Sequence, residues 1–475
     1  MRCRPTRAPP GALRGGAGAH GTVAVAFIAV RRTLPCPMPL LRFPLPTPKP
    51  ASSTPSRALN RALSRALAAL AVCALPGLTA RAQAPQPLAI PATVAGGAAA
   101  PAGVPAPWVP ALQRGLERAA TLPGATAFGV YVRDLDTGDA LSFHGAERWY
   151  LASSVKVPVA IAVLRGVERG AFTLDTPLTL READYVDGAG PTKRQAAGTP
   201  LTVRWLLEQM IVFSDNTASD MLIELVGLPA VNAVAQEAAP GGLERITTLA
   251  DVRRHAYAQL TPEALHLSGR DFLELKAQRG DREVKDTLAR LLHVAPASLR
   301  PLGVGEAFEA YYATGLNSGR LDAYGELLAQ LAQGRLLNPA HTRYLLGVME
   351  RVQTGPQRIK AGLPAGVTFA HKTGTQRART CDSGLITRPA DALHPHAVRA
   401  IVVACTRGEP STTRSDRTLR QVGIAICQSG LLTHGKPHDL PCPTTAAAAS
   451  TIVHPRAAAA RAGAVDGDLL GGDEP

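Results

Sequence analysis

Apolar residues along this chain follow three spacings. The stretch 151–164, Leu-Ala-Ser-Ser-Val-Lys-Val-Pro-Val-Ala-Ile-Ala-Val-Leu, has almost no polar side, so it reads as the start of a buried helix. Spacings of three and four predict amphipathic helices elsewhere. One covers 108–120, with Trp108, Leu112, Leu116 and Ala119 on one face. Another opens at Thr202 and carries Trp205, Leu206, Leu207, Met210 and Ile211, and the next carries Met221, Leu222, Leu225 and Val226. Further helices are expected at 249–260, 269–276, 284–292, 327–331, 340–350 and 416–431. Alternation predicts strands at 127–135 and 140–143, joined by Asp136-Thr137-Gly138-Asp139 into a hairpin. Later strands are expected at 367–375, 380–387 and 397–405. The order is helix, hairpin, buried helix, a long helical middle, three strands and a last helix.

The net charge of +14 changes this picture little. Twelve Lys or Arg residues precede Pro85, and no acid precedes Glu117, so setting that segment aside takes +14 to +2. The basic balance therefore belongs to a leader and gives no argument for a nucleic-acid partner. Within the leader, Arg57, Arg61 and Arg65 come before an apolar run at 66–75, which Pro76 and Gly77 end. Small residues follow at Ala80-Arg81-Ala82 and Ala82-Gln83-Ala84. That order is a secretory signal peptide's, and the run is too short for the ~20 residues of a membrane span. The charged region starts so far along the chain that Met38 is the expected true start. The expected organisation is a leader at 1–84, an Ala/Pro linker at 85–106, a folded domain at 107–433 with a helical part at about 178–349, and a disordered tail at 434–475. Export to a secreted or periplasmic location implies an oxidising compartment. Cys381, Cys405, Cys427 and Cys442 would remain after cleavage, and four cysteines allow three pairings. If strands 380–387 and 397–405 are antiparallel neighbours, Cys381 falls near Cys405.

Two residues do not fit the apolar run at 151–164. Ser153 and Lys156 are three apart and share a helix face. Burial strips a lysine of its proton, and a neutral amine beside a hydroxyl is a base beside a nucleophile. Ser153 also sits where the helix begins, with a free N–H in a field that favours negative charge. A polar cluster, Ser214-Asp215-Asn216, lies between two apolar helices, and the strand at 367–375 runs into Lys372-Thr373-Gly374-Thr375. His394-Pro395-His396 is a tight histidine pair with no evident third ligand, so no metal and no cofactor are expected.

The order Ser153-x-x-Lys156, Ser214-Asp215-Asn216, Lys372-Thr373-Gly374 resembles that of class A β-lactamase-related serine hydrolases and penicillin-binding proteins. The resemblance covers about 107–433. It is close at 210–227, at 353–375, which includes Thr354-Gly355-Pro356-Gln357-Arg358-Ile359, and around Ser153. It implies an α+β fold: a five-stranded antiparallel sheet flanked by helices, plus an all-helical subdomain. It also implies roles for individual residues. Ser153 would be acylated, Lys156 would take its proton, and Ser214 would pass a proton to the leaving nitrogen. Asn216 would hold the substrate amide carbonyl, and Lys372, Thr373 and Thr375, with Gly374 between them, would hold the substrate carboxylate. The N–H groups of Ser153 and Thr375 would form the oxyanion hole.

The chain departs from that pattern at one point. Class A enzymes hydrolyse the acyl-enzyme with a Glu four residues before an Asn, but Asn232, Asn317 and Asn338 are preceded at that spacing by Leu228, Ala313 and Gly334. A helical segment at about 246–312, unusual for the family, stands there instead, with Glu274, Glu306 and Glu309 as candidate substitutes. The leading expectation is an exported, monomeric serine hydrolase acting on the β-lactam amide. The alternatives are a D,D-peptidase acting on peptidoglycan peptides, or a penicillin-acylated sensor without turnover.

Overall fold

The computed structural model describes residues 105–436 and 440–444. The leader, Met38 and all of the expected linker except Pro105 and Ala106 lie outside the described residues.

Five strands form one antiparallel sheet: β1 (Ala127–Asp134), β2 (Ala140–Phe143), β3 (Thr368–Gln376), β4 (Arg379–Arg388) and β5 (Val398–Arg407). Their spatial order is β2-β1-β5-β4-β3. The central strand β5 is apolar on both sides, as a strand covered on both faces must be. Val398, Ala400, Val402 and Ala404 point to one core, whereas Ile401, Val403 and Cys405 point to another. Period-two alternation thus divides the molecule into two apolar layers with the sheet between them.

The first layer is closed by α1 (Trp108–Ala120) and α12 (Thr412–Gln428) through Leu112, Leu116, Leu419, Val422 and Ile426. Helix α12 starts a turn before the expected 416 because Ser411 accepts the Arg414 N–H as its N-cap. The second layer holds α2 (Lys156–Glu168), whose Val157, Val159, Ala160, Ile161, Val163 and Leu164 are all buried. Each Val, Ile or Leu among them contributes roughly 1.5–3 kcal/mol by leaving water. Around α2 lie α3 (Val203–Val212), α4 (Asn216–Val226), α5 (Leu228–Ala238), α6 (Leu249–Tyr257), α7 (Gly269–Ala277), α8 (Gly280–Leu291) and α9 (Val304–Ala313). They are followed by α10 (Leu321–Ala332) and α11 (Pro339–Glu350). Helix α10 lies against β1, β4 and β5 and buries Leu321, Tyr324, Leu327, Leu328 and Leu331 there. The helical part therefore gives way to the sheet layer before the expected 349.

The antiparallel register sets Cys381 opposite Cys405, and the two form a disulfide across β4 and β5. A second disulfide joins Cys427 to Cys442, so part of the expected tail, at 440–444, is tied to α12. The remainder of the tail lies outside the described residues.

One close approach locks α12 to the chain that leads into β3. A short turn at Ile359–Gly362 packs on α12 so tightly that a Cβ on Gly423 would stand 2.3 Å from the Ile359 carbonyl oxygen. Backbone cannot yield as a flexible side chain does. Gly423→Ala should therefore lower unfolding free energy by about 1–3 kcal/mol, as overpacking does. Urea denaturation of the oxidised protein measures this, and a neutral substitution would contradict the packing described.

Candidate active site

The site is built where α2, α4 and β3 meet. The residues before α2 form a tight turn, Ala152–Val155, so the helix proper begins at Lys156 and Ser153 lies half-exposed on the preceding turn. That turn is fixed from several directions. Leu151 N–H donates to the Asn317 carbonyl at 3.0 Å, and the Tyr324 hydroxyl of α10 donates to the Ser154 carbonyl at 2.8 Å. Ala152 is held at φ +48° and Ser214 at φ +59°. The left-handed region costs a non-glycine residue roughly 1–2 kcal/mol, so both residues stay there only because their surroundings over-determine them.

Strand β3 comes up against this turn at Gly374. A Cβ there would lie 2.6 Å from the Leu151 carbonyl oxygen and 3.1 Å from Ala152 Cβ. The glycine of Lys-Thr-Gly is thus a contact requirement, and it brings β3 against the turn that carries Ser153.

Two of the expected residues, Lys156 and Lys372, converge on Ser214. Lys156 Nζ donates to the Ser214 carbonyl at 2.5 Å and to Asn216 Oδ1 at 2.8 Å. It also reaches Ser214 Oγ at 3.4 Å, and from the other side Lys372 Nζ donates to that hydroxyl at 2.9 Å. Ser214 Oγ therefore joins the two amines. Asp215 caps α4, accepting Ala218 N–H at 2.9 Å, and accepts Thr192 N–H from the preceding loop at 2.7 Å. Asn216 Nδ2 donates to the Asp187 carbonyl at 2.6 Å, which leaves one of its two N–H groups for another acceptor. Thr373 Oγ1 bonds Thr354 Oγ1.

Both amines are fully buried, and burial decides their charge. Desolvation pushes Lys156 down to about 7, opposed by the nearby carboxylates Asp215 and Asp220. Desolvation, then the neighbouring Lys156 and Arg358, push Lys372 well below the usual lysine range. An anion placed against Lys372 would favour its ammonium form again.

Several residues of the site carry no motif. Arg358 is buried, and its guanidinium donates to Asp416 Oδ1 (2.7 Å), the Gly374 carbonyl (3.1 Å), the Cys381 carbonyl (3.0 Å) and Thr375 Oγ1 (2.8 Å). It fixes the end of β3 to β4 and α12. Asp220, one turn after Asn216 on α4, accepts Leu249 N–H (2.7 Å) and Ala250 N–H (2.8 Å), so it anchors the start of α6. Burial pushes its carboxyl up to about 7. Arg253 on α6 forms a buried ion pair with Asp187 at 2.7 Å. A buried polar residue at a helix start is the only sequence signal for Asp220, and Arg253 had none.

The three glutamates weighed as substitutes are engaged elsewhere. Glu274 pairs with Arg290, Glu309 with Arg379, and Glu306 accepts Gly303 N–H at 2.7 Å. The carboxylates that act on Lys156 are Asp215 and Asp220. Tyr185, in the loop before α3, is packed: its hydroxyl donates to the Gln195 carbonyl at 2.8 Å.

A half-exposed serine one turn from a buried amine of lowered proton affinity, with a second amine across a shared hydroxyl, is the constellation of a serine hydrolase. Residues 112–429 match the β-lactamase enzyme family, and the chain belongs to it. It is 39% identical to β-lactamase L2 of Stenotrophomonas maltophilia over 107 residues, which span 22% of this chain and 35% of that enzyme. It is 26% identical to a β-lactamase of Streptomyces albus G over 320 residues, 66% of this chain and 82% of the relative. Among solved structures, PBP-A is similar at TM-score 0.48 and 23% identity, covering 68% of this chain and 97% of that one. A β-lactamase from Sphaerobacter thermophilus is similar at TM-score 0.48 and 23% identity, covering 68% and 98%.

Arg358→Met would leave Asp416 and two carbonyls without their donor. Breaking a buried pair on one side should cost about 3–5 kcal/mol. Urea unfolding of the purified variant checks this, and a loss below about 1 kcal/mol would assign Arg358 no anchoring role.

Proposed function

We propose that this protein is an exported serine hydrolase that opens the β-lactam amide through an acyl-enzyme on Ser153. The observation that carries this reading is the buried Lys156 amine, held by Ser214 and Asn216, pushed down to about 7 by desolvation and one turn from Ser153. Lys156 takes the Ser153 proton as the hydroxyl oxygen bonds the carbonyl carbon. The ring C–N bond breaks, and Ser214 passes a proton to the leaving nitrogen. Lys372, Thr373 and Thr375 hold the substrate carboxylate, Asn216 gives its remaining N–H to the acyl amide carbonyl, and the Ser153 and Thr375 N–H groups receive the oxyanion. Water then cleaves the ester. Relatives named as β-lactamases support the same substrate class.

A second reading has its own observation. Glu-x-x-x-Asn is absent, and Glu274, Glu306 and Glu309 are tied up elsewhere. With no other base to activate water, the acyl-enzyme would persist, as in a D,D-peptidase meeting a penicillin or in a sensor.

Intact-mass spectrometry of the mature protein with benzylpenicillin, beside Ser153→Ala, separates these readings. An adduct on the wild type that clears within minutes supports hydrolysis, and one that persists supports the second reading. No adduct at all would overturn the assignment of Ser153. Because Lys156 is the base only when neutral, the acylation rate should rise with pH through about 7 and then level. Lys156→Ala should slow acylation by roughly 10²–10⁴-fold and remove that rise. An unchanged profile would exclude Lys156 as the base.

A further inference from the structure

Helix α6 brings a guanidinium toward Asn216. Arg253 lies one turn into α6, and its side chain is 14% exposed. Its Nε donates to Asp187 Oδ1 at 2.7 Å, and its two terminal amino groups meet no acceptor among the described residues. They lie beside Gly188. A Cβ on Gly188 would be 3.6 Å from Arg253 Nη2 and 2.5 Å from Asn216 Nδ2. Gly188, at φ +99°, thus leaves open the space between the residue assigned to the acyl amide and a guanidinium with donors to spare.

A chain of contacts runs from there to a second arginine. Tyr257, one turn after Arg253, feels the charges of Arg253, Asp187 and Arg377. Its ring meets Phe308 of α9 edge-on at 6.2 Å, and Arg377 lies 5.9 Å over the Phe308 ring. Arg377 follows Thr375 by two residues, in the turn between β3 and β4, is exposed, and has no carboxylate partner among the described residues. The neighbouring Arg379, by contrast, is paired with Glu309. Beyond Asn216, then, stand two arginines, with Lys193 Nζ donating to the Gly188 carbonyl beside Arg253, and Asp187 is the one carboxylate paired to either arginine among the described residues.

The carboxylate on the leaving side of the substrate is already provided for by Lys372, Thr373 and Thr375. We propose that Arg253, with Arg377 farther out, recognises a second carboxylate, carried on the acyl side of the substrate. The substrate class is an acylated amide with anionic groups at both ends, whether a β-lactam or a cell-wall peptide. Arginine suits this because its planar fork offers parallel donors to a carboxylate while Nε keeps its bond to Asp187. The proposal rests on the reading of Ser153 as the acylated residue.

The test compares two compounds that differ by one carboxylate, benzylpenicillin and its α-carboxy derivative carbenicillin. Second-order rate constants for adduct formation are measured by intact mass on the wild type, Arg253→Gln, Arg253→Lys and Arg377→Gln. The carbenicillin-to-benzylpenicillin ratio should be about tenfold higher in the wild type than in Arg253→Gln. Arg253→Lys keeps a cation for Asp187 but lacks the fork. It should fold where the Gln variant does not, and its ratio should fall as well. Arg377→Gln should lower the ratio by a smaller factor. A ratio unchanged in Arg253→Lys, with both compounds still acylating, would overturn the proposal alone. Failure of both compounds to acylate the wild type would overturn the Ser153 reading, and this proposal with it.

Discussion

The arrangement depends on taking the Lys156 amine out of water. Water would keep that amine charged and useless as a base. The fold removes water by seating Lys156 at the head of a helix whose buried side chains are otherwise all apolar, and it replaces the lost hydration with two fixed acceptors, the Ser214 carbonyl and Asn216 Oδ1. A buried amine with acceptors but no contacting carboxylate settles near neutrality. Asp215 and Asp220 lie close enough to limit the drop, but both spend their oxygens on backbone N–H groups.

The rest of the structure holds that amine's surroundings in place. Ser214 sits in the left-handed region so that its carbonyl meets Lys156 while its hydroxyl meets Lys372. Helix α4 fixes Asn216 because Asp215 caps it. Strand β3 presses Gly374 against the turn that carries Ser153, and Arg358 keeps the end of that strand in register by bridging β3, β4 and α12. Each support comes from a different layer. The apolar cores on both faces of the sheet therefore act on the chemistry through position, even where they never touch it.

The segment 246–313 gives the family site a different wall. There α6 is anchored by Asp220 and brings Arg253 toward Asn216. A cation near Lys156 helps keep its amine neutral, since Arg253 pushes Lys156 down. The same helix thus lowers the proton affinity of Lys156 and carries terminal guanidinium donors that meet no acceptor among the described residues.

Much of this was legible in the chain itself. Alternation marked out β1, whereas the central β5 showed as a nearly continuous apolar run because both its faces are covered. The Ser-x-x-Lys, Ser-Asp-Asn and Lys-Thr-Gly sets were visible as polar residues interrupting apolar elements. The pairing of Cys381 with Cys405 followed once two strands were taken as antiparallel neighbours. What the chain could not give was distance between remote residues. Arg253 and Asp187 are 66 positions apart, and nothing in either segment marks the other. Arg358 stood out only as one residue of the 353–375 resemblance, yet its four hydrogen bonds exist only where β3, β4 and α12 meet. The charge on Lys156 likewise was only a tendency in the sequence. It became a property of the protein when tertiary packing excluded water and set two acceptors in its place.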